Sequence, residues 1–170
     1  MSHIKIVDFR PEHQPWFEKF NRAWIEELFQ MEPLDEWVLT HPDKAILEGG
    51  GAILMAEYDG VPAGTVGLRR VDEDTVEFTK MAVDINFRRK GIAEMLCYAS
   101  FKKAADLGVG KIILYSNTKN AVAIKMYEKV GFLHIRVENG VYKRANVKMV
   151  IDTATALERA AQFDTPLQTT

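Results

Sequence analysis

Only one cysteine, Cys97, occurs in 170 residues, so an internal disulfide framework is excluded. It lies in the apolar helical stretch Ala93-Glu94-Met95-Leu96-Cys97-Tyr98-Ala99, where a small buried hydrophobe is expected rather than a catalytic thiol. No apolar run approaches the ~20 residues that a membrane-spanning helix needs. Residues Met1 to Val7 lack the basic head and apolar run of a signal peptide. No membrane association is predicted, and a cytoplasmic location is expected. The net charge is only −2, which does not suit a chain built to coat nucleic acid. The four histidines (His3, His13, His41 and His134) are scattered without ligand spacing, so no metal site is predicted. Internal repeats and linkers are also lacking. A composition of 47% hydrophobic and 27% charged residues is that of an ordinary globular domain. A chain of this length buries roughly two-thirds of its unfolded surface and needs no disulfide or metal staple.

Hydrophobic periodicity divides the chain into alternating elements. Residues His3 to Phe9 alternate as a strand. Trp16, Phe17, Phe20, Trp24, Ile25, Leu28 and Phe29 recur at helical steps, giving one or two amphipathic helices that Pro33 interrupts. A weaker helical pattern covers Asp35 to Thr40 and Pro42 to Leu47, before the break at Gly49-Gly50-Gly51. Three antiparallel strands follow: Ala52 to Tyr58, Pro62 to Val71 and Thr75 to Val83, the first two joined by the Asp59-Gly60 hairpin signal. Helices are predicted over Gly91 to Leu107 and Asn120 to Val130. Between them lies the continuously apolar strand Lys111 to Ser116. Strands over Phe132 to Val137 and Ala145 to Ile151 surround a turn at Asn139-Gly140. The fold class is α+β: a mixed, mostly antiparallel sheet of about seven strands with helices on both faces. One domain is expected over 1–152, followed over 153–170 by a short helix and a polar tail expected to be disordered.

The segment Val83 to Ala93 carries the chemistry. A strand ends, a loop follows, and a helix begins near Gly91. The first N–H groups of a helix lack intrahelical partners, and the helix dipole adds about half a positive charge there. Gly91 and the small Ala93 allow an anion close to the backbone, and Arg88, Arg89 and Lys90 add cations. The arrangement suits a pyrophosphate. It is neither a Walker loop nor a dinucleotide fingerprint, because the further glycines of those motifs are missing. A solvated basic loop is the plainer alternative.

Three motifs in order weigh against that alternative. Arg88-Arg89-Lys90-Gly91-Ile92-Ala93 resembles the cofactor motif of the GNAT superfamily of N-acetyltransferases, with Ala93 in place of the second glycine. Glu77-Phe78-Thr79-Lys80-Met81-Ala82-Val83 resembles that family's fourth strand, and Asn120 to Phe132 its closing helix. The resemblance covers about residues 3 to 151. The segments Trp24-Ile25-Glu26-Glu27, Glu32-Pro33, Gly49-Gly50, Lys80 to Val83, Ser116-Asn117-Thr118 and Arg144-Ala145-Asn146 are similar to a bacterial GNAT subgroup sometimes fused to a MarR-type DNA-binding domain. This chain carries no such domain pattern, so no DNA role is expected.

The resemblance implies an acyltransferase that moves an acetyl group from acetyl-CoA to a primary amine of a small molecule or protein by direct attack. An acyl-CoA-binding sensor or scaffold without turnover is the alternative. It further implies that the fourth and fifth strands splay, with the backbone of Met81, Ala82 and Val83 bonding the pantetheine arm. Val83 would be the oxyanion donor, Arg88, Arg89, Lys90, Gly91, Ile92 and Ala93 would hold the pyrophosphate, and Asn117 and Asn120 would flank the cofactor. Glu77 is the implied general base, acting directly or through water, against the plainer reading of a polar residue on a strand edge. Tyr127 is the implied general acid, against that of a core aromatic. Acceptor-site candidates are Trp24, Glu27, Phe29, Met31, Glu32, Tyr142 and Arg144. Glu27 and Glu32 would attract a cationic amine, unless the aromatics are core and the acids merely solvated. Relatives often pair, which leaves a homodimer open.

Overall fold

Strand-forming alternation and the turns between strands build the sheet first. The computed structural model describes residues 3–138 and 143–164. Strand β1 (Ile4–Asp8) is followed by a 3-10 turn at Pro11–His13, in which buried His13 accepts the Arg10 amide through Nδ1 at 2.8 Å. Helix α1 (Gln14–Leu28) buries Phe17, Phe20, Asn21 and Ile25, so the long amphipathic pattern forms one helix. Pro33 starts helix α2 (Pro33–Thr40) instead of only interrupting the pattern, since proline lacks an N–H that the first helical position would leave unbonded anyway. The expected helix from Pro42 is a π-turn at Asp43–Leu47, closed by the Glu48 amide on the Asp43 carbonyl at 2.8 Å.

Strands β2 (Ala52–Tyr58), β3 (Val61–Asp72) and β4 (Thr75–Val83) form the antiparallel meander. Helix α3 (Ile92–Asp106) crosses over to β5 (Lys111–Ser116), which runs parallel to β4. Helix α4 (Ala121–Val130) ends at Gly131, whose φ of 117° is open to glycine and strained for other residues. Strands β6 (Leu133–Ile135) and β7 (Val147–Asp152) and helix α5 (Thr153–Asp164) complete the described elements. The seven strands lie in the order β1-β2-β3-β4-β5-β7-β6. Strand β6 is shorter than the expected Phe132 to Val137, and the turn at Asn139-Gly140 lies outside the described residues.

The sheet separates two apolar clusters. On one face α3, α4 and α5 pack through Leu96, Phe101, Val130 and Ala156 against Leu54, Val66, Val76 and Phe78. On the other, Phe17 and Ile25 of α1 and Val38 and Leu39 of α2 meet Ile46 and Ile53. Helix α5 is docked, with Ala156 and Ala160 buried and Phe163 stacked on Tyr98 at 4.5 Å. Cys97 is fully buried, and burial, with the nearby Glu94 charge, pushes its thiol well above the ordinary value. A thiolate nucleophile is therefore disfavoured there. No helix among the described residues is long and apolar enough to cross a membrane, and no group of three or more His, Cys, Asp or Glu among them is placed to hold a metal ion.

Candidate active site

A single extra residue in β4 opens the site. Thr79 pairs with Gly67, and Ala82 with Thr65, so β4 holds one more residue than β3 across this interval. The resulting bulge contains Lys80, whose φ is +55°. That conformation costs a non-glycine residue about 1–2 kcal/mol. The bulge directs Lys80 into an ion pair, in which Nζ reaches Asp35 Oδ1 at 2.9 Å and both side chains are almost wholly buried. Strand β4 pairs with β5 only over Thr75–Glu77 against Lys111–Ile113, whereas β5 goes on pairing with β7 as far as Ser116. Beyond Glu77 the two parallel strands therefore diverge and leave a wedge.

Backbone groups of β4 face this wedge. The Asp84 amide donates to the Ala63 carbonyl on β3 at 2.8 Å. Amide direction alternates along a strand, so the Val83 N–H points away from β3, into the wedge. By the same alternation Ala82 directs its polar groups at β3, which removes it from the set expected to bond a ligand. Met81 lines the cleft with Leu114 and Ser116.

At the open end of the wedge, the Asp84 side chain accepts the Asn86 amide at 3.0 Å and caps a 3-10 turn at Ile85–Phe87. Arg89 (φ 64°) and Gly91 (φ 82°) then turn the chain into α3. A Cβ at Gly91 would meet nothing within 4 Å, so glycine is needed there for its conformation and not for space. Ile92, 1% exposed, anchors the first turn of the helix. A Cβ at Gly64 on β3 would lie 3.2 Å from both Ile92 Cγ2 and Leu96 Cδ1, which shows how closely that turn packs. Arg88, Arg89 and Lys90 are exposed around the helix N-terminus, with Lys90 Nζ 4.9 Å from the Tyr58 ring centroid. Ala93 is half-buried.

Glu77 and Tyr127 approach one cleft from opposite faces of the sheet. Glu77 is 1% exposed, in the interior of the sheet and not on an edge, and accepts a hydrogen bond from Arg69 Nη2 at 2.7 Å across the β3–β4 ladder. Neighbouring side chains on a strand point to opposite faces, so Phe78 faces the other way. Its ring meets that of Tyr127 edge-on at 5.5 Å. The wedge connects the faces, and Glu77 and Tyr127 both line it. Tyr127 is also a core aromatic, 5.9 Å from Phe132, and burial pushes its phenol well above the ordinary value. It therefore stays protonated, as a proton donor must. Asn117 and Asn120 line the cleft as well. The Asn117 side chain is engaged by its surroundings: Nδ2 donates to the Arg144 carbonyl at 2.5 Å, and Oδ1 accepts the Lys119 amide at 2.9 Å.

The end of the cleft beside α1 and α2 holds a charge network without a local sequence signal. Asp35, 0% exposed, accepts from Lys80 Nζ at 2.9 Å, Arg144 Nη1 at 2.6 Å, Arg144 Nη2 at 2.8 Å and the Glu32 amide at 2.9 Å. Burial alone would raise its pKa, but Arg144, Lys80 and the Glu32 amide together hold its carboxyl below the usual range. Arg144 Nη1 also reaches Glu32 at 2.9 Å, so Glu32 is neutralised by Arg144 and is not a lure for a cationic amine. The Arg144 guanidinium lies over Phe29 at 5.6 Å and Trp24 at 6.0 Å, and all three line the cleft. Met31 packs in the α1–α2 core instead, so it is not a cleft residue. Glu27 is exposed and lies in an outer hollow with Glu32, Lys119 and Lys143. Tyr142 lies outside the described residues. Asp35, Lys80 and Arg69 were missed as site residues. Asp35 had only the weak signal of an acid in a helix first turn after Pro33.

This geometry has a counterpart in known proteins. Residues 8–132 match the acetyltransferase (GNAT) family. The chain belongs to that family. Over 120 residues, or 69% of its length, this GNAT chain is 34% identical to human N-acetylaspartate synthetase and covers 37% of that protein. It thus spans little more than a third of the N-acetylaspartate synthetases it matches. Among solved structures, a GNAT-family acetyltransferase from Staphylococcus aureus superposes with a TM-score of 0.80 at 19% identity, over 89% of this chain and 99% of that one. A spermidine N-acetyltransferase from Vibrio cholerae, in complex with CoA and spermine, superposes with a TM-score of 0.67 at 19% identity, over 91% and 98% of the two chains. At these identities the structural likeness of this GNAT chain speaks for its fold.

Proposed function

We propose that this protein transfers the acetyl group of acetyl-CoA to a primary amine by direct attack. The observation that carries this reading is the bulge-opened wedge between β4 and β5. It has a cationic helix N-terminus at one end and Glu77 with Tyr127 in its walls. The residues present fit the cofactor. Gly91, Ile92 and Ala93 offer N–H groups at a helix start, Arg88, Arg89 and Lys90 supply positive charge, and Val83 turns its N–H into the gap. Acetyl-CoA supplies an acetyl thioester. The Vibrio cholerae relative, solved with CoA, supports that choice of donor.

Each residue then has a task. Glu77 takes a proton from the attacking ammonium, directly or through a water, because an amine of pKa about 10.4 is mostly protonated at neutral pH. The nitrogen forms its bond to the acetyl carbon while the Val83 N–H donates to the carbonyl oxygen as it gains charge. The carbon–sulfur bond breaks, Tyr127 gives its proton to the departing sulfur, and the acylated nitrogen sheds its second proton, which restores the phenol through solvent. Trp24, Phe29 and Arg144 form the acceptor end of the cleft. The likeness to the subgroup that includes MarR-fused members rests on segments that meet here, since Trp24, Glu32, Lys80 and Arg144 are all in or beside this end. The test is thiol release from acetyl-CoA across a panel of amines, set beside calorimetric binding of coenzyme A. Turnover with at least one amine supports transfer. Tight binding without turnover on any amine would make the protein a cofactor-binding scaffold instead.

A further inference from the structure

Opposite charges facing each other across two antiparallel strands are common, and contribute only about 0.2–1 kcal/mol. The Arg69–Glu77 pair has a more particular setting. Arg69 is the Cα partner of Glu77 on β3, so their side chains share one face of the sheet. Glu77 is 1% exposed, whereas the Arg69 side chain is 32% exposed and reaches inward, with Nη2 on Glu77 Oε1 at 2.7 Å. On the other flank the partner of Glu77 is Ile113 of β5, whose side chain has no polar atom to offer. Glu77 is also the last residue of β4 that pairs with β5, so it stands where the wedge begins. Lys80 and Arg144 line the cleft too, but they are tied to Asp35.

Resting on the reading of Glu77 as general base, we propose that Arg69 is a positioning residue for the transfer, which holds the Glu77 carboxylate in place at the start of the wedge and acts only through it. A base must be an anion to take a proton, and a buried anion stripped of its partner is strongly destabilised. A carboxylate offers about four lone-pair sites on its two oxygens, so the hydrogen bond from Arg69 does not exhaust its capacity to accept. The guanidinium is planar and always charged, so it fixes the direction of the carboxylate without competing for the proton. Direction matters to rate, because a catalytic group misplaced by about 1 Å can cost about 10²-fold.

Thiol release from acetyl-CoA, with the best amine of the panel, is compared for wild type, Arg69→Gln, Glu77→Gln and the double variant. Arg69→Gln should lower kcat by about 10- to 100-fold, the range set by a charge-assisted hydrogen bond, with the KM for acetyl-CoA little changed. Arg69→Lys should recover part of that loss. In the Glu77→Gln background Arg69→Gln should cost nothing further, since a residue that acts through Glu77 then has no base to position. Circular dichroism and coenzyme A titration establish that each variant is folded. If Arg69→Gln does not fold, Arg69→Lys takes its place, and its smaller loss should likewise vanish in Glu77→Gln. A wild-type kcat in the Arg69 variant would overturn the proposal, as would an equal further loss when it is added to Glu77→Gln; the transfer reading survives both results. A wild-type kcat in Glu77→Gln refutes the base instead, and absence of turnover with every amine refutes transfer. Either takes away what Arg69 is said to position, and overturns the proposal with it.

Discussion

Replacing Asp35 with asparagine should cost far more than a surface substitution. The carboxylate is wholly buried and accepts hydrogen bonds from Lys80, Arg144 and the Glu32 amide. Asparagine preserves the shape but removes the charge, leaving Lys80 (side chain 2% exposed) and Arg144 (14% exposed) without their shared anion. Removing one partner of a buried ion pair costs about 3–5 kcal/mol. For a chain of this size each kcal/mol lowers Tm by about 2–4 °C, so a fall of roughly 6–20 °C is expected. The loss also reaches the wedge, because Lys80 sits in the bulge that parts β4 from β5. Affinity for coenzyme A should drop under conditions where the variant remains folded. Urea unfolding with calorimetric titration of coenzyme A reads both effects. The pH dependence supplies an independent check. The folded-state pKa of Asp35 is depressed, so its stabilising contribution is complete above the unfolded value of about 3.9 and is lost as pH falls towards the folded value. Wild-type stability should therefore decline below about pH 4, and Asp35→Asn should show a shallower acid limb. A variant within about 1 kcal/mol of wild type at pH 7, with coenzyme A affinity unchanged, would refute the reasoning.

Tyr127→Phe keeps the ring against Phe78 and Phe132 and removes only the proton donor. It should lower kcat by about 10²-fold or more with little change in Tm, read by thiol release and thermal melting. Burial raises the Tyr127 pKa above its ordinary value, so loss of this proton should cause no alkaline fall in the wild-type rate below pH 10, and a fall in that range that disappears in Tyr127→Phe would contradict the assignment. Glu77→Gln should depress kcat more than the KM for acetyl-CoA. Gly91→Ala meets no steric obstacle but must hold a φ of 82°. It should cost about 1–2 kcal/mol of stability and weaken coenzyme A binding, measured by melting and titration.

The sheet was largely legible because its signals are local. Ala52–Tyr58, Thr75–Val83 and Lys111–Ser116 emerge with the expected bounds, each an apolar or alternating run closed by turn residues. The phosphate loop was legible for the same reason, as a strand end, cations, a glycine and a helix start fall within a dozen residues. The network around Asp35 was not. Its bonds span 45 residues to Lys80 and 109 to Arg144, and no period or motif links such positions. The bulge at Lys80 was equally hidden, since an extra residue in one strand shows only against the register of its neighbour. Glu32 illustrates the consequence. Taken alone it is an acid available to an amine, but the fold hands it to Arg144.

A crystal structure with coenzyme A tests the central claim most directly. The pyrophosphate should lie on the N–H groups of Gly91 to Ala93, with Arg88 to Lys90 around it. The pantetheine arm should lie between β4 and β5 and accept the Val83 N–H, with its sulfur end near Tyr127. Coenzyme A bound elsewhere, or β4 and β5 paired to the end of β5 with no arm between them, would contradict it.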